Sequence, residues 1–248
     1  MNIIFGNFGN DSIALIQWAF EHQLDDLYVV SIDTGWAAQS WAAHVEKVKS
    51  YVESLSFPFI RLNSIESFSA LMIGRDAFPN TKFQWCAAAL KGLAFLDWLD
   101  KIDPTCEATV LLGKRSAASR AYLNLQEHQD ESQFYGDRAI WCPLINLSDL
   151  ERDNLLAKAG FEKLVHRSLE CDPCVNNNFA DFRRLDNADI RKTAKLETDL
   201  NQSMFSPNNY GDSEGIEAVV HWVKKQPMSE KLSEQFDMGC GSPYSCGE

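Results

Sequence analysis

The chain has 248 residues, 45% of them hydrophobic, and a formal net charge of -12. That length suits one sizeable α/β core with an appendage better than two equal domains. The acidic balance argues against a broad basic face for nonspecific nucleic-acid binding; no apolar run reaches the roughly 18 residues of a membrane span, and no basic stretch precedes an apolar one at the N-terminus, so no signal peptide and a cytoplasmic location are expected.

Residues 2–5 are a short apolar run, Gly6-Asn7-Phe8-Gly9-Asn10-Asp11-Ser12 is a polar turn, and residues 13–20 carry apolar side chains at helical spacing. The unit reads as strand, tight loop and helix. Such a loop offers backbone N–H groups and the positive end of a helix to an anion, which suits a phosphate. Gly6 and Gly9 are expected to allow close backbone approach. A second apolar run, 27–32, is β-branched and reads as a buried parallel strand ending in Asp33-Thr34-Gly35. An Asp there lies on the ligand-binding edge of an open α/β sheet. Residues 41–55 read as an amphipathic helix and 57–62 as a third strand, with Pro58 at its start.

Residues 84–99 are helical in pattern and include Cys86 and Lys91, and 109–112 form another buried strand. Gly113-Lys114-Arg115 and Arg120 follow it and form a compact basic group at a strand end, apt for holding phosphate or sulfate. Residues 126–137 are polar and read as a surface loop or lid. Ser148 with Glu151 is a capping box opening a helix that Gly160 stops. Helices are also expected at 189–200 and at 214–223, the latter capped by Ser213. Strands alternating with helices predict a doubly wound α/β fold, a mainly parallel sheet with helices on both faces. A small helical, cysteine-containing C-terminal extension follows it. The expected boundary separates residues 1–170, the α/β domain, from 171–248.

Seven cysteines in a chain this long make no dense disulfide framework, and their number is odd. Thiols or metal ligands are the better reading. Cys171 and Cys174 form a CxxC turn, and the distant pair Cys240 and Cys246 supplies two more thiolates, a set that suits zinc or an iron–sulfur cluster.

Taken in order, residues 3–175 resemble the PAPS reductase family, relatives of the PP-loop ATP pyrophosphatases. Asn7-Phe8-Gly9 resembles the Ser-Phe-Gly loop, and Asp11-Ser12 matches the end of the PP-loop pattern. Asp33-Thr34-Gly35 matches the Asp-Thr-Gly element. Cys86 with Leu90-Lys91 resembles the Cys-x-x-x-Leu-Lys segment of cysteine-containing branches. Gly113-Lys114-Arg115, then Ser119-Arg120-Ala121-Tyr122-Leu123, resemble the Gly-x-Arg and Ser-Arg-Ala-x-Leu elements, and Cys171-Asp172-Pro173-Cys174 resembles the Cys-x-Pro-Cys of cluster-bearing members. Two departures stand out. A PP-loop enzyme has Ser and Gly where Asn7 and Phe8 stand, and Phe8 in a glycine conformation carries a steric cost. The reductases end in Glu-Cys-Gly-Leu-His, whereas this chain ends in a different frame holding Cys240 and Cys246.

The resemblance implies an enzyme of sulfur metabolism. An adenine nucleotide (PAPS, APS or ATP) lies against Asn7, Phe8, Gly9, Asn10, Asp11, Ser12, Asp33, Gly35, Gly113, Lys114, Arg115 and Arg120. Cys246 or Cys240 is the nucleophile, and a thioredoxin-like reductant or a sulfur donor is the partner. Cys171, Cys174, Cys240, Cys246 and Cys86 are the candidate ligands of an iron–sulfur cluster or zinc. The alternatives are an ATP pyrophosphatase, using Mg, that adenylates an acceptor for sulfur transfer or nucleotide or nucleic-acid modification, and a non-catalytic nucleotide-binding protein with a structural metal. A homodimer is compatible with either.

Overall fold

A computed structural model describes residues 1–81, 83–119, 122–205, 210–227 and 244. Arg120, Cys240 and Cys246 therefore lie outside the described residues. Six strands form one sheet in the order β3-β2-β1-β4-β6-β5. They are β1 Asn2–Phe5, β2 Leu27–Asp33, β3 Phe59–Asn63, β4 Thr109–Leu111, β5 His128–Ser132 and β6 Arg138–Trp141. All pairs are parallel except β5 with β6. The sheet grows outward from β1 in both directions, which puts a switch point beside the C-terminal ends of β1, β2 and β4. Open α/β sheets bind ligands at such a point. The expected α/β architecture is what forms.

The central strands are apolar on both faces because helices cover both. Ile3, Phe5, Val30, Ile32, Val110 and Leu112 alternate into one core with Phe95 and Leu99 of α5 (Leu93–Ile102). Ile4, Val29 and Leu111 point the other way. They meet α1 (Asn10–Glu21), α2 (Trp41–Ser54) and α6 (Asp149–Lys158). A third core joins the C-terminal helices α7 (Phe179–Arg184), α8 (Asn187–Leu200) and α9 (Ile216–Lys225) to Trp36, Leu90 and α3 (Phe68–Arg75).

Several elements differ from the sequence expectation. The stretch read as a polar loop or lid contains β5, an antiparallel edge strand whose first four residues are exposed. With water on both faces it carries no apolar alternation to read. The long helix expected from Gln84 is three pieces. Trp85–Ala87 (α4) leads into a π-helical turn, Ala88–Gly92, and then into α5. Ser213 does not cap the last helix. Gly215 does, at φ +80°, and the Ile216 N–H donates to the Glu197 carboxylate of α8 at 2.9 Å. A tertiary partner has taken the role that a local hydroxyl would fill.

Candidate functional site

The β1–α1 loop is held closed by its own polar side chains. The Gly9 N–H and the Ser12 hydroxyl both donate to Asn7 Oδ1, at 2.9 and 2.8 Å, and the Asn7 N–H donates to Ser12 Oγ at 3.2 Å. The glycine-like conformation falls on Phe8, at φ +57°, whereas Gly9 has φ -69°. Phe8 therefore takes the glycine conformation at the steric cost expected of it. Phe8 accepts the left-handed region because its ring is buried, with its centroid 5.7 Å from that of Phe59. The Phe8 carbonyl is hydrogen-bonded to His44 Nε2 at 2.9 Å. Burying a phenyl ring outweighs a local strain of about 1–2 kcal/mol.

Behind the loop is a buried ion network. Asp11 Oδ1 accepts from Arg115 Nε at 2.8 Å and from Arg152 Nη1 at 2.9 Å. Arg115 also donates from Nη2 to Asp149 and from Nη1 to the Leu147 carbonyl. Burial works against the Arg115 charge, but Asp11 and then Asp149 outweigh it and hold its pKa above the ordinary value. Arg115 thus ties α1 to α6. Gly113 belongs to the same support: a Cβ there would stand 2.9 Å from the Asp11 backbone. Lys114 is buried with its Nζ 5.1 Å from the Tyr122 ring centre. Asn10 spends both ends of its amide on the Leu164 backbone.

A cavity with about 310 Å³ of empty volume opens beside this loop. It brings together Gly6, Asn7, Phe8, Asp33 and Trp41, with Arg61 and Glu170. Asp33 Oδ1 accepts from the Gly35 N–H at 3.0 Å, and Gly35 adopts φ +67°, which a glycine accepts without strain. Asp33 Oδ2 pairs with Arg61 at 2.7 Å. Asn7, Phe8 and Asp33 thus meet at one cavity, whereas Asn10, Asp11, Ser12 and Arg115 do not line it. Arg61 went unread because it sits on β3 with no motif around it.

A second cavity, about 510 Å³, is lined by Cys86, Cys171 and Cys174 with Lys91, Arg167, Glu170 and Asn176. The turn carrying the cysteines is strapped to the end of β2. Thr34 Oγ1 donates to the Glu170 carbonyl, Trp36 Nε1 to the Pro173 carbonyl, and the Asp172 N–H to the Trp36 carbonyl. The π-helical turn supplies Lys91, whose Nζ lies 2.6 Å from Glu170 Oε1. Burial pushes the Glu170 carboxyl above its usual range, with Lys91 pulling partly back. Arg167 donates to Asp181 at 2.8 Å and to the Asn176 carbonyl. Burial opposes its charge as well, and Asp181, then Cys174, hold its pKa up.

Three of the five candidate metal ligands therefore share one cavity. Among the described residues, however, no group of three or more His, Cys, Asp and Glu side chains is placed to hold a metal ion. The described thiols do not by themselves fit a cluster or a zinc ion. Among the described residues no helix is long and apolar enough to cross a membrane.

No family model and no curated protein matches the chain. Among solved structures it is similar to a phosphoadenylyl-sulfate (PAPS) reductase from Candida auris in a phosphate complex. The identity is 13%, covering 65% of this chain and 74% of that one, with a TM-score of 0.46. A likeness of that size assigns no residue a role.

Proposed function

We propose that the chain is an adenine-nucleotide-binding enzyme of the sulfonucleotide reductase kind. One observation carries this reading: Glu170 lines both cavities, so the loop-and-Asp33 cavity and the cysteine cavity share a wall. A nucleotide in the first cavity can extend its far end toward thiols in the second. Asp33 accepts from ribose hydroxyls while Arg61 offers charge to a phosphate. The β1–α1 loop meets the nucleotide through Gly6, Asn7 and Phe8, and Lys114 and Arg120 add positive charge. Arg115 and Asp11 act as positioning residues that keep the loop against α6.

A cysteine thiolate attacks the sulfur of the sulfo group. The S–O bond to the nucleotide phosphate breaks, leaving a cysteine S-sulfonate and a released nucleotide. A second thiol then attacks the sulfonate, sulfite leaves, and the resulting disulfide is reduced by a thioredoxin-like dithiol. Cys246 or Cys240 is the proposed nucleophile. A metal at Cys171, Cys174 and Cys86 would need a further ligand from Cys240 or Cys246, and no step above runs through it.

Phe8 accepts the left-handed loop conformation, which lifts the steric objection to ATP pyrophosphatase chemistry and makes ATP the second substrate to test. The purified chain, incubated with PAPS or APS and a thioredoxin system, is expected to release sulfite. Pyrophosphate release from ATP without sulfite would overturn the reductase reading in favour of an adenylating enzyme. Nucleotide binding with neither product would leave a nucleotide-binding protein without turnover.

A further inference from the structure

Three buried side-chain nitrogens have no hydrogen-bond partner among the described residues: Asn176 Nδ2, Asn177 Nδ2 and Arg184 Nε. Of their residues, Asn176 alone lines the cysteine cavity. It is 6% exposed, and its position is fixed from two sides. Arg167 donates to its backbone carbonyl, and Gln84 Nε2 donates to its side-chain Oδ1 at 3.2 Å.

The orientation of the Asn176 amide follows from a chain of complementary partners. The Thr81 carbonyl can only accept, and Gln84 Nε2 donates to it at 3.0 Å. That end of Gln84 is therefore the NH₂ group. The atom of Asn176 that receives Gln84's other N–H must then be the oxygen. Nδ2, a pure donor, is what remains. Nδ2 is buried at the wall of the cavity, and a ligand entering there satisfies it only by bringing an acceptor. A purely apolar occupant would strand it.

We propose that Asn176 Nδ2 donates a hydrogen bond to a sulfonyl oxygen of a substrate whose far end enters the cysteine cavity. The inference rests on the sulfonucleotide reading and assigns a further binding residue within it. The sulfo group is the oxygen-rich end of such a nucleotide, and its oxygens stay in place while thiolate attack occurs at sulfur. Gln84 is a positioning residue that keeps the donor end of the amide turned to the ligand.

The test compares two nucleotides by calorimetry. One is a PAPS analogue with a methylene in place of the bridging oxygen, which thiolates do not cleave. The other is adenosine 3′,5′-bisphosphate, which lacks the sulfo group. Asn176→Asp keeps the acceptor for Gln84 and replaces the donor with a carboxylate oxygen. It is expected to weaken the analogue by about tenfold or more, as for loss of a hydrogen bond plus repulsion, and to leave the bisphosphate within about twofold. Gln84→Leu lets the amide flip and should weaken the analogue alone by a smaller factor, which keeps the test usable if Asn176→Asp does not fold. Equal weakening of both nucleotides, or unchanged binding of the analogue in both variants, overturns the subsite and leaves the reductase reading standing. A wild-type chain that binds neither nucleotide overturns that reading and the subsite together.

Discussion

Asp103 and Arg138 have no part in either cavity, yet they hold the link between α5 and β4. Arg138 is fully buried at the start of β6 and donates from Nε to Asp103 Oδ2 at 2.7 Å. Burial acts to raise the Asp103 pKa, but the Ala108 and Glu107 N–H groups and the Arg138 guanidinium outweigh it, and the net shift is downward from 3.8. The folded carboxyl thus gives up its proton more readily than the unfolded one. Its contribution is complete above the unfolded value of 3.8 and is lost as pH falls through the lower folded value. Asp103→Asn should cost up to about 3–5 kcal/mol at pH 7, because it leaves the buried guanidinium only the exposed Asp100 carboxylate, 3.2 Å from Nη1, as counter-charge. Urea unfolding at pH 7 and pH 3 checks both parts: the variant should lose less stability between the two than wild type does. An equal loss in both would mean that other carboxyls carry the acid limb. At this same scale the sequence was informative where a motif gathers local residues. Asp33 and Gly35 sit where the strand end put them. Arg61, Arg152 and Asn176 were not legible, because each acts through partners distant in the chain.

At the scale of elements, α6 links local chemistry to the site. The Ser148–Glu151 capping box was readable from four residues, and both of its bonds form: Glu151 N–H to Ser148 Oγ at 3.3 Å and Ser148 N–H to Glu151 Oε2 at 2.8 Å. The helix so fixed carries Arg152 to Asp11. Ser148→Ala removes one accepted N–H at an exposed helix end and should cost about 1 kcal/mol, measured by chemical denaturation. A loss well beyond 2 kcal/mol would show that the cap also holds the Asp11 network together. The β1-loop-α1 unit was equally legible, since its hydrophobic period changes within a few residues. The π-helical turn was not. It inserts one residue into a pattern otherwise periodic, and it is what aims Lys91 at Glu170. Helix α7 was missed because six residues give too short a run, although its Asn178–Asp181 capping box is complete.

At the scale of the whole molecule, the π-helical turn in the middle of the chain is tied to its C-terminal part. Leu90 in the π-helical turn shares a core with the C-terminal helices, and two residues later Gly92 faces Tyr244. Tyr244 is buried, with ring centres 5.7 Å from Tyr135 and 6.4 Å from Phe134. A Cβ on Gly92 would stand 2.5 Å from Tyr244 Cζ, far inside contact distance, so the glycine is required by the tyrosine rather than by its own backbone. Tyr244 precedes Cys246, a proposed nucleophile, by two residues in the sequence. The ring is thus anchored on the turn whose Lys91 lines the cysteine cavity. Gly92→Ala and Tyr244→Ala should each accelerate proteolytic cutting within residues 228–248 while leaving the sheet's cooperative unfolding in place. The two changes act on one contact, so the double variant should be no more sensitive than the worse single one. Adding a chelator to wild type separates the modes of anchoring. Faster cutting under chelation would mean that Cys240 or Cys246 shares a metal with Cys171 and Cys174. Cutting at the wild-type rate in both single variants would show that Tyr244 is not what holds the tail.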